Sequence, residues 1–375
     1  MIYLSLLFPF ITIAILQIWW RHKVAWWEIT LPLIPSIIII PVSSFIGYRS
    51  QVIDYERRGS VTVKVEYYED WDEYIYQTCT RTVSCGKDCT TTETYDCSYV
   101  DYHPAYWLAH GIHGETVRIS QSQYNWAIKR FGNQKFVDLH RNYDSNDGDK
   151  YVSYWDRKDD KFIPLFTTRS YYNKVLPNTG LFEFKEISEE EKKGLFDWPT
   201  LKNEFYDPCI LGRAPNLQVA DSILQKFNAV YGKQLQIRVW VLLFNTSNRE
   251  RAFLQRDYWK GVNKNELVVC IGKPDNKIAW CEVFCWSPDG YAGNHTLRIN
   301  IRDFVEKQDD IDLVEIAKFI PQQCKEHWKR KSFIEFDYLS VPIPKSAIIF
   351  NYVLTILGCM GIGCYICNNY ENKDW

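Results

Sequence analysis

The placement of uncharged apolar runs constrains this chain most. Residues 2–20, 29–47 and 347–367 carry no Asp, Glu, Lys or Arg, and roughly 300 mostly polar residues lie between the second run and the third. A helix rising about 1.5 Å per residue needs roughly 20 such residues to cross a bilayer core. Three transmembrane helices are therefore expected, the second bent by Pro32, Pro35 and Pro41. A cleaved leader would place positive charge before its apolar run and small residues after it. Here Arg21, His22 and Lys23 follow the run, which favours a retained anchor.

Trp19 and Trp20 precede this basic loop and Trp26 and Trp27 follow it, the pattern of an aromatic belt at one membrane face. Short loops rich in Lys or Arg stay in the cytoplasm, so Arg21 and Lys23 place the turn inside. Three crossings then put residues 48–345 outside the cytoplasm. The expected location is thus a multi-pass protein of the cell membrane with its large domain extracytoplasmic. The tail, residues 368–375, sets Lys373 against Glu371 and Asp374 and is neutral on the point.

Cysteine usage bears on the same question. Cys359, Cys364 and Cys367 lie in the last apolar run, where a thiol behaves as a small hydrophobe. Cys79, Cys85, Cys89 and Cys97 crowd into one polar, turn-rich stretch. Zinc ligands usually arrive as closely spaced Cys pairs, a pattern these gaps do not follow, and an exported loop without a core needs a covalent staple. Two disulfides are expected at these four positions. Of the three possible pairings, Cys79 with Cys97 around Cys85 with Cys89 is the nested one that a hairpin gives. Cys281 and Cys285 share one face of an alternating run but stand about 13 Å apart at strand rise, beyond disulfide reach. Each needs another partner, with Cys209, Cys270 and Cys324 as candidates, or stays free.

The formal charge of −2, with no Lys/Arg-rich run, gives no footprint for nucleic acid. The extracytoplasmic region divides by pattern. Residues 49–185 form a β-rich lobe: residues 61–68 alternate cleanly, 74–83 and 95–102 flank the cysteine loop as strands, 120–131 form a helix capped by Ser120 or Ser122, and 136–143 pair with 150–155. Residues 186–216, with the charge run SEEEKK and Pro199, Pro208 and Pro215, read as a connector. Residues 217–345 have βα character. Asn216 caps a helix ended by Gly232, and 235–244 form a buried central strand. Ser247 and Glu250 form a capping box, strands at 266–272 and 277–286 follow, and a helix starts near Asp310 and contains Pro321. The C-terminal run, residues 346–375, completes the expected domain plan after the hairpin of residues 1–48.

The element order of the second lobe, together with YWKGVNKNELVVCIG, resembles the TPM domain family, in which a helix ending near a Trp and a Gly leads into an Asn-Gly-Val-Leu-like strand opening. Asn265 and Leu267 match that opening, Glu266 replaces the Gly, and the family's later Gly-Leu-Glu pattern is not evident after Trp286. The resemblance implies a TPM-like α/β lobe with a metal or phosphatase site. The stretch from CTRTVSCGKDC to KYVSYWD is similar to uncharacterised membrane proteins encoded by bacteria and phages. The expected class is therefore an α+β membrane-anchored protein with three transmembrane helices, a disulfide-stapled β-rich lobe and a TPM-like α/β lobe.

Candidate chemistry is sparse. Asp144, Asp147 and Asp149 crowd the turn DSNDGD, but Gly148 arrives one residue early for a calcium loop and no Glu closes it. Asp275 and Asp289 lie in Pro-Asp turns and are turn formers first. His103, His110 and His113 are close in sequence, yet Gly111 and Gly114 oppose the helix that would bring two of them onto one metal. His140 and Arg141 point to opposite faces of a strand. Asn245 and Asn294 match the glycosylation sequon. Nucleophile-elbow, phosphate-loop and HExxH patterns are lacking. The expectation is a binding or scaffolding protein with a protein partner at the membrane, without cofactor or nucleic acid. The alternative is a divalent-metal-dependent, phosphatase-like hydrolase with Asp275 and Asp289 as candidate ligands.

Overall fold

The computed structural model describes residues 2–20, 30–86, 89–132, 134–139, 141, 148–154, 162–175, 177–178, 184–286 and 292–371. The chain forms two compact units, one of Met1–Tyr55, Ser170–Glu183 and Ser332–Trp375, the other of Glu56–Arg169 and Phe184–Lys331.

The first unit is built on helices. Of the three expected spans, two reach crossing length within the described residues, Leu33–Val52 (α2) and Lys345–Asn368 of the C-terminal helix Lys345–Glu371. The first run is the exception. It opens as a 3-10 turn, Ile2–Leu6, continues as α1, Leu7–Trp20, and its apolar helical part, Tyr3–Ile18, is shorter than the other two. Pro9 accounts for the late start, because it has no N–H to offer the Ser5 carbonyl and the α-helical ladder cannot extend back through that bond. The helices pack with polar groups inward. Ser36, Ser43, Asn351 and Thr355 are buried, whereas Ile37, Ile38, Phe45 and Leu357 are exposed. Asn351 Nδ2 donates to Ser43 Oγ at 2.9 Å. A Cβ on Gly47 would stand 2.8 Å from that of Ala347, and one on Gly358 2.9 Å from Pro35, so small residues bring α2 and the C-terminal helix together.

The second unit begins within β1 (Ile53–Tyr68), which leads to β2 (Trp71–Ile75), β3 (Thr78–Gly86), β4 (Cys89–Asp96), β5 (Tyr99–His103), β6 (Tyr106–Gly111) and β7 (Thr116–Ile119). Then come α3 (Gln121–Phe131), β8 (Gln134–Val137), β9 (Lys150–Tyr154) and β10 (Pro164–Tyr172). The main sheet runs β7-β6-β1-β9-β8, with β10 also paired to β1. The cap of α3 is Ser120, in a capping box with Gln123. The expected strand 74–83 is broken between β2 and β3, and 95–102 between β4 and β5. At the break Ser98 donates to the Asp96 carboxylate and Gln77 N–H to Ser98 Oγ, local bonds that replace the ladder. Here Cys79 and Cys97 form a disulfide with Cα atoms 5.7 Å apart. Cys85 is disulfide-bonded as well, and the side chain of Cys89 lies outside the described residues. The β3–β4 ribbon buries neither face of β3, and an isolated two-stranded ribbon is marginal in water, so the staple holds what packing does not.

The rest of this unit is α/β: β11 (Ile210–Leu211), α4 (Leu217–Leu235), β12 (Arg238–Phe244), α5 (Glu250–Tyr258), β13 (Glu266–Gly272), β14 (Trp280–Cys285), α6 (Ala292–Glu306) and α7 (Leu313–His327). The sheet order is β11-β12-β13-β14, parallel except for β14. Every residue of β12 is buried. Val239, Val241, Val269, Cys281 and Cys285 pack under α4, α6 and α7, while Trp240, Leu242, Val268 and Trp280 pack on the other face with Leu195, Phe196 and Trp198. Cys281 and Cys285 are buried, and burial pushes the thiol of Cys281 well above its usual range.

Several expected boundaries move for physical reasons. Residues 195–211, expected in a connector, line the core and add β11 to the sheet. Asn216 sits at φ 54°, outside the extended backbone that a capping side chain needs, and makes no cap bond. Gly232 does not end α4. The helix runs to Leu235 and ends at left-handed Gln236, while a Cβ on Gly59 would strike the Asn228 carbonyl carbon at 2.7 Å, so glycine lets β1 approach α4. For α5, Asn248 Oδ1 rather than Ser247 takes the Glu250 N–H. The free edge of β14 is closed by side chains: Cys281 N–H donates to Glu306 at 3.0 Å, and Arg298 Nε donates to the Val283 carbonyl at 2.8 Å.

At the centre of this unit lies a buried ionic cluster. Arg57, Asp207, Arg238 and Glu266 are each at most 1% exposed. Asp207 Oδ1 is 2.7 Å from Arg57 Nη1, and its Oδ2 faces Arg238 Nη2 at 2.5 Å in an ion pair outside hydrogen-bond geometry. Arg57 lies 4.6 Å from the Trp198 ring centre and Arg238 4.4 Å from that of Trp240. Both indole N–H groups donate to Glu266 Oε1 at 3.2 Å. Removing one member of such a cluster strands uncompensated charge in the core. Asp207→Ala is expected to cost about 3–5 kcal/mol, read as a lowered unfolding midpoint of the detergent-solubilised chain by tryptophan fluorescence. An unchanged midpoint would show that the cluster does not hold the unit.

Candidate functional site

The alternation of β1 gives the main sheet two unlike faces. Val65, with Ala109 and Ile119, packs against Tyr124, Ala127 and Phe131 of α3. The opposite face is polar, and strand register sets its layout. Thr116, His110, Lys64 and Tyr154 form one row across β7, β6, β1 and β9. Arg118, Leu108, Glu66 and Val152 form the next. Tyr106, Tyr68 and Lys150 form the third.

Glu66, 4% exposed, is the centre of this grid. Lys64 Nζ lies 2.8 Å from Oε1, and His110 Nε2 and the Tyr68 hydroxyl lie 2.9 Å and 3.3 Å from Oε2. Burial alone would raise the Glu66 pKa, but the hydrogen bonds from Lys64 and His110 outweigh it and hold the carboxyl below its ordinary range. His110 Nδ1 is 3.1 Å from Thr116 Oγ1. A hydroxyl, an imidazole and a carboxylate in line can pass a proton, and Lys64 draws on the same carboxylate. Beside this chain, Tyr68 and Tyr106 stack with centres 4.5 Å apart, Lys150 Nζ lies 5.4 Å from the Tyr68 centre, and Arg118 Cζ lies 5.7 Å from that of Tyr106.

The histidines found in sequence are not brought together. His110 sits on β6, His103 stacks on Trp71 and pairs with Glu73 at 3.1 Å, and His113 lies in the turn before β7, where its N–H donates to Glu115. Asp149 is a turn residue whose Oδ1 accepts the Leu139 N–H at 2.8 Å; Asp144, Asp147 and His140 lie outside the described residues. Asp275 occupies the turn after β13 at φ 52°, and Asp289 lies outside the described residues. Among the described residues no group of three or more His, Cys, Asp or Glu side chains could hold a metal.

A cleft of about 400 Å³ opens at the C-terminal end of β12, where ligands of parallel sheets gather, bounded by Ser247, Arg249, Ile278, Ala279, Trp280 and Glu306. Its charged members are already engaged. Arg249 pairs with Glu306 and with Glu282, and Glu306 caps β14.

Sequence reasoning found His110 and the outward face of β1 but missed that they meet. His110 and Glu66 are 44 residues apart, and only the β1–β6 register joins them.

No family model, curated protein or solved structure matches this chain.

The depressed Glu66 pKa fixes a sign. A carboxylate held below its unfolded value of about 4.5 stabilises the fold at neutral pH, and that contribution is lost as pH falls below this value and through the folded pKa. The melting temperature of the native chain should therefore exceed that of Glu66→Gln at neutral pH, and the gap should shrink on acidification. A gap independent of pH would remove the charge from the explanation.

Proposed function

We propose that the chain is a membrane-anchored binding or scaffolding protein whose large unit lies outside the cytoplasm and engages a protein partner. The observation that carries this is the inverted packing of the helical unit. Helices with Ser and Asn side chains inside and isoleucines outside suit a lipid surround and would be unstable in water. A third crossing is compatible with the first run. Five residues at about 2.0 Å and 14 at about 1.5 Å per residue reach roughly 30 Å, the thickness of the hydrocarbon core. An odd number of crossings with Arg21 and Lys23 inside puts the second unit outside, and the Cys79–Cys97 disulfide favours an oxidising compartment. Binding is favoured over catalysis by the stapled ribbon and its neighbours, which expose Tyr76, Tyr95, Tyr99 and Tyr102. Clustered exposed aromatic surface marks interaction sites.

Protease added to intact cells should digest residues 48–345, and protein purified without reductant should leave Cys79 and Cys97 closed to alkylation. Protection of that region until lysis would overturn the placement.

A further inference from the structure

We propose that the polar face of the main sheet docks an acidic polypeptide segment, with carboxylates of the partner held by Arg118, Lys150 and Arg141. This rests on the binding reading above and adds the chemistry of the partner. The whole chain has a formal charge of −2. On this face, by contrast, Lys64, Arg118 and Lys150 outnumber Glu66, the one carboxylate among the described residues of these rows, and Lys64 and His110 already take it up. Arg118 lies against Tyr106 and Arg141 against Trp71, at 4.6 Å from its ring centre, and among the described residues neither has a carboxylate within 4.0 Å. Lys150 Nζ lies 3.9 Å from Glu66 Oε1.

An arginine resting on an aromatic ring is held in place with its N–H fork free, the state that binds a carboxylate with two parallel hydrogen bonds at little entropic cost. Tyr and Arg together are also the residues most enriched where proteins bind proteins. Spacing favours an extended peptide. Successive rows of the face are two residues apart along a strand, about 6.8 Å, which is also the repeat of alternate side chains in an extended chain. Arg118 on β7 and Lys150 on β9 stand three strand spacings and one row apart, roughly 16 Å, so acidic residues four or five positions apart on an extended chain meet both. Approach is from the side opposite α3, which packs on the Val65 face.

The test uses the full chain in nanodiscs of neutral lipid, with poly-L-glutamate as the probe and polygalacturonate as a sugar-acid competitor. Poly-L-glutamate should bind, weaken as salt is raised, and bind more tightly than polygalacturonate. Arg118 is exposed, so Arg118→Glu should keep its melting temperature while weakening binding about tenfold, and Arg118→Lys should recover part of the loss. Lys318→Glu on α7, with the same change of charge, should bind as the native chain does. Absence of binding, equal weakening by Arg118→Glu and Lys318→Glu, or tighter binding of polygalacturonate would each overturn the proposal. The protease experiment fails or succeeds independently of these readouts, so a misplaced membrane topology and a wrong partner chemistry are told apart.

Discussion

The second unit depends on one carboxylate. Asp207 stands between Arg57 of β1 and Arg238 at the start of β12, and so joins the β-rich and α/β parts of the unit at a point where no water reaches the charges. Taking ions out of water costs several kcal/mol each, and attraction between them recovers this only with close geometry and further partners. Those partners are present: the Pro199 carbonyl accepts from Arg57, Trp198 and Trp240 cover the guanidinium groups, and Glu266 takes both indole N–H groups. Such a cluster tolerates one arrangement of β1, β12 and β13 and penalises the rest, whereas an apolar contact would permit sliding. It also explains why residues 195–211 cannot be a linker, since they supply Trp198, Pro199 and Asp207.

What was legible in sequence was what is local. The strand Glu266–Gly272, the buried strand Arg238–Phe244 and the Ser120 cap follow from composition and spacing within a few residues. The cysteine spacing likewise pointed to a staple because the ribbon lacks a core of its own. Contacts between distant residues were not legible. Gly232 looks like a helix stop, but the helix runs on to Leu235, and it is Gly59, far away in sequence, that lets β1 approach this helix at Asn228. The helix Ala292–Glu306 was missed although Leu297, Ile301 and Val305 are fully buried at helical spacing, because Asn294, His295, Arg298 and Arg302 dilute the apolar signal around them. The charged residues of residues 186–193 and the following prolines suggested solvent, and nothing nearby announces that Asp207 is paid for by two arginines.

The helical unit shows the same limit. Hydropathy finds apolar runs but not which residues face one another, and in lipid the information lies in the minority of polar and small residues. Ser43 with Asn351 and Gly47 with Ala347 set the approach of α2 to the C-terminal helix, while the abundant isoleucines face outward. The start of α1 is decided by a single proline, which hydropathy counts as one more uncharged residue.

How the unit can meet a partner follows from which surfaces the fold leaves open. Addition of a strand to the α/β sheet at β14 is opposed, because Glu306, Arg298 and Arg249 already occupy backbone groups along that edge. The cleft beside it is closed to new charge chemistry by the same residues, since Arg249 and Glu306 satisfy each other. The main sheet differs. One face is spent on packing α3, but the other carries Arg118 against a ring, and Lys150 over a ring and 3.9 Å from a Glu66 that Lys64 and His110 already hold. A tyrosine ring stabilises a nearby cation without neutralising it, so the charge is still available to an incoming anion. In the proposed binding mode, recognition therefore runs across the face of this sheet rather than along an edge, with side-chain charge selecting an acidic segment and the strand order of β7, β6, β1 and β9 setting the distance between its carboxylates.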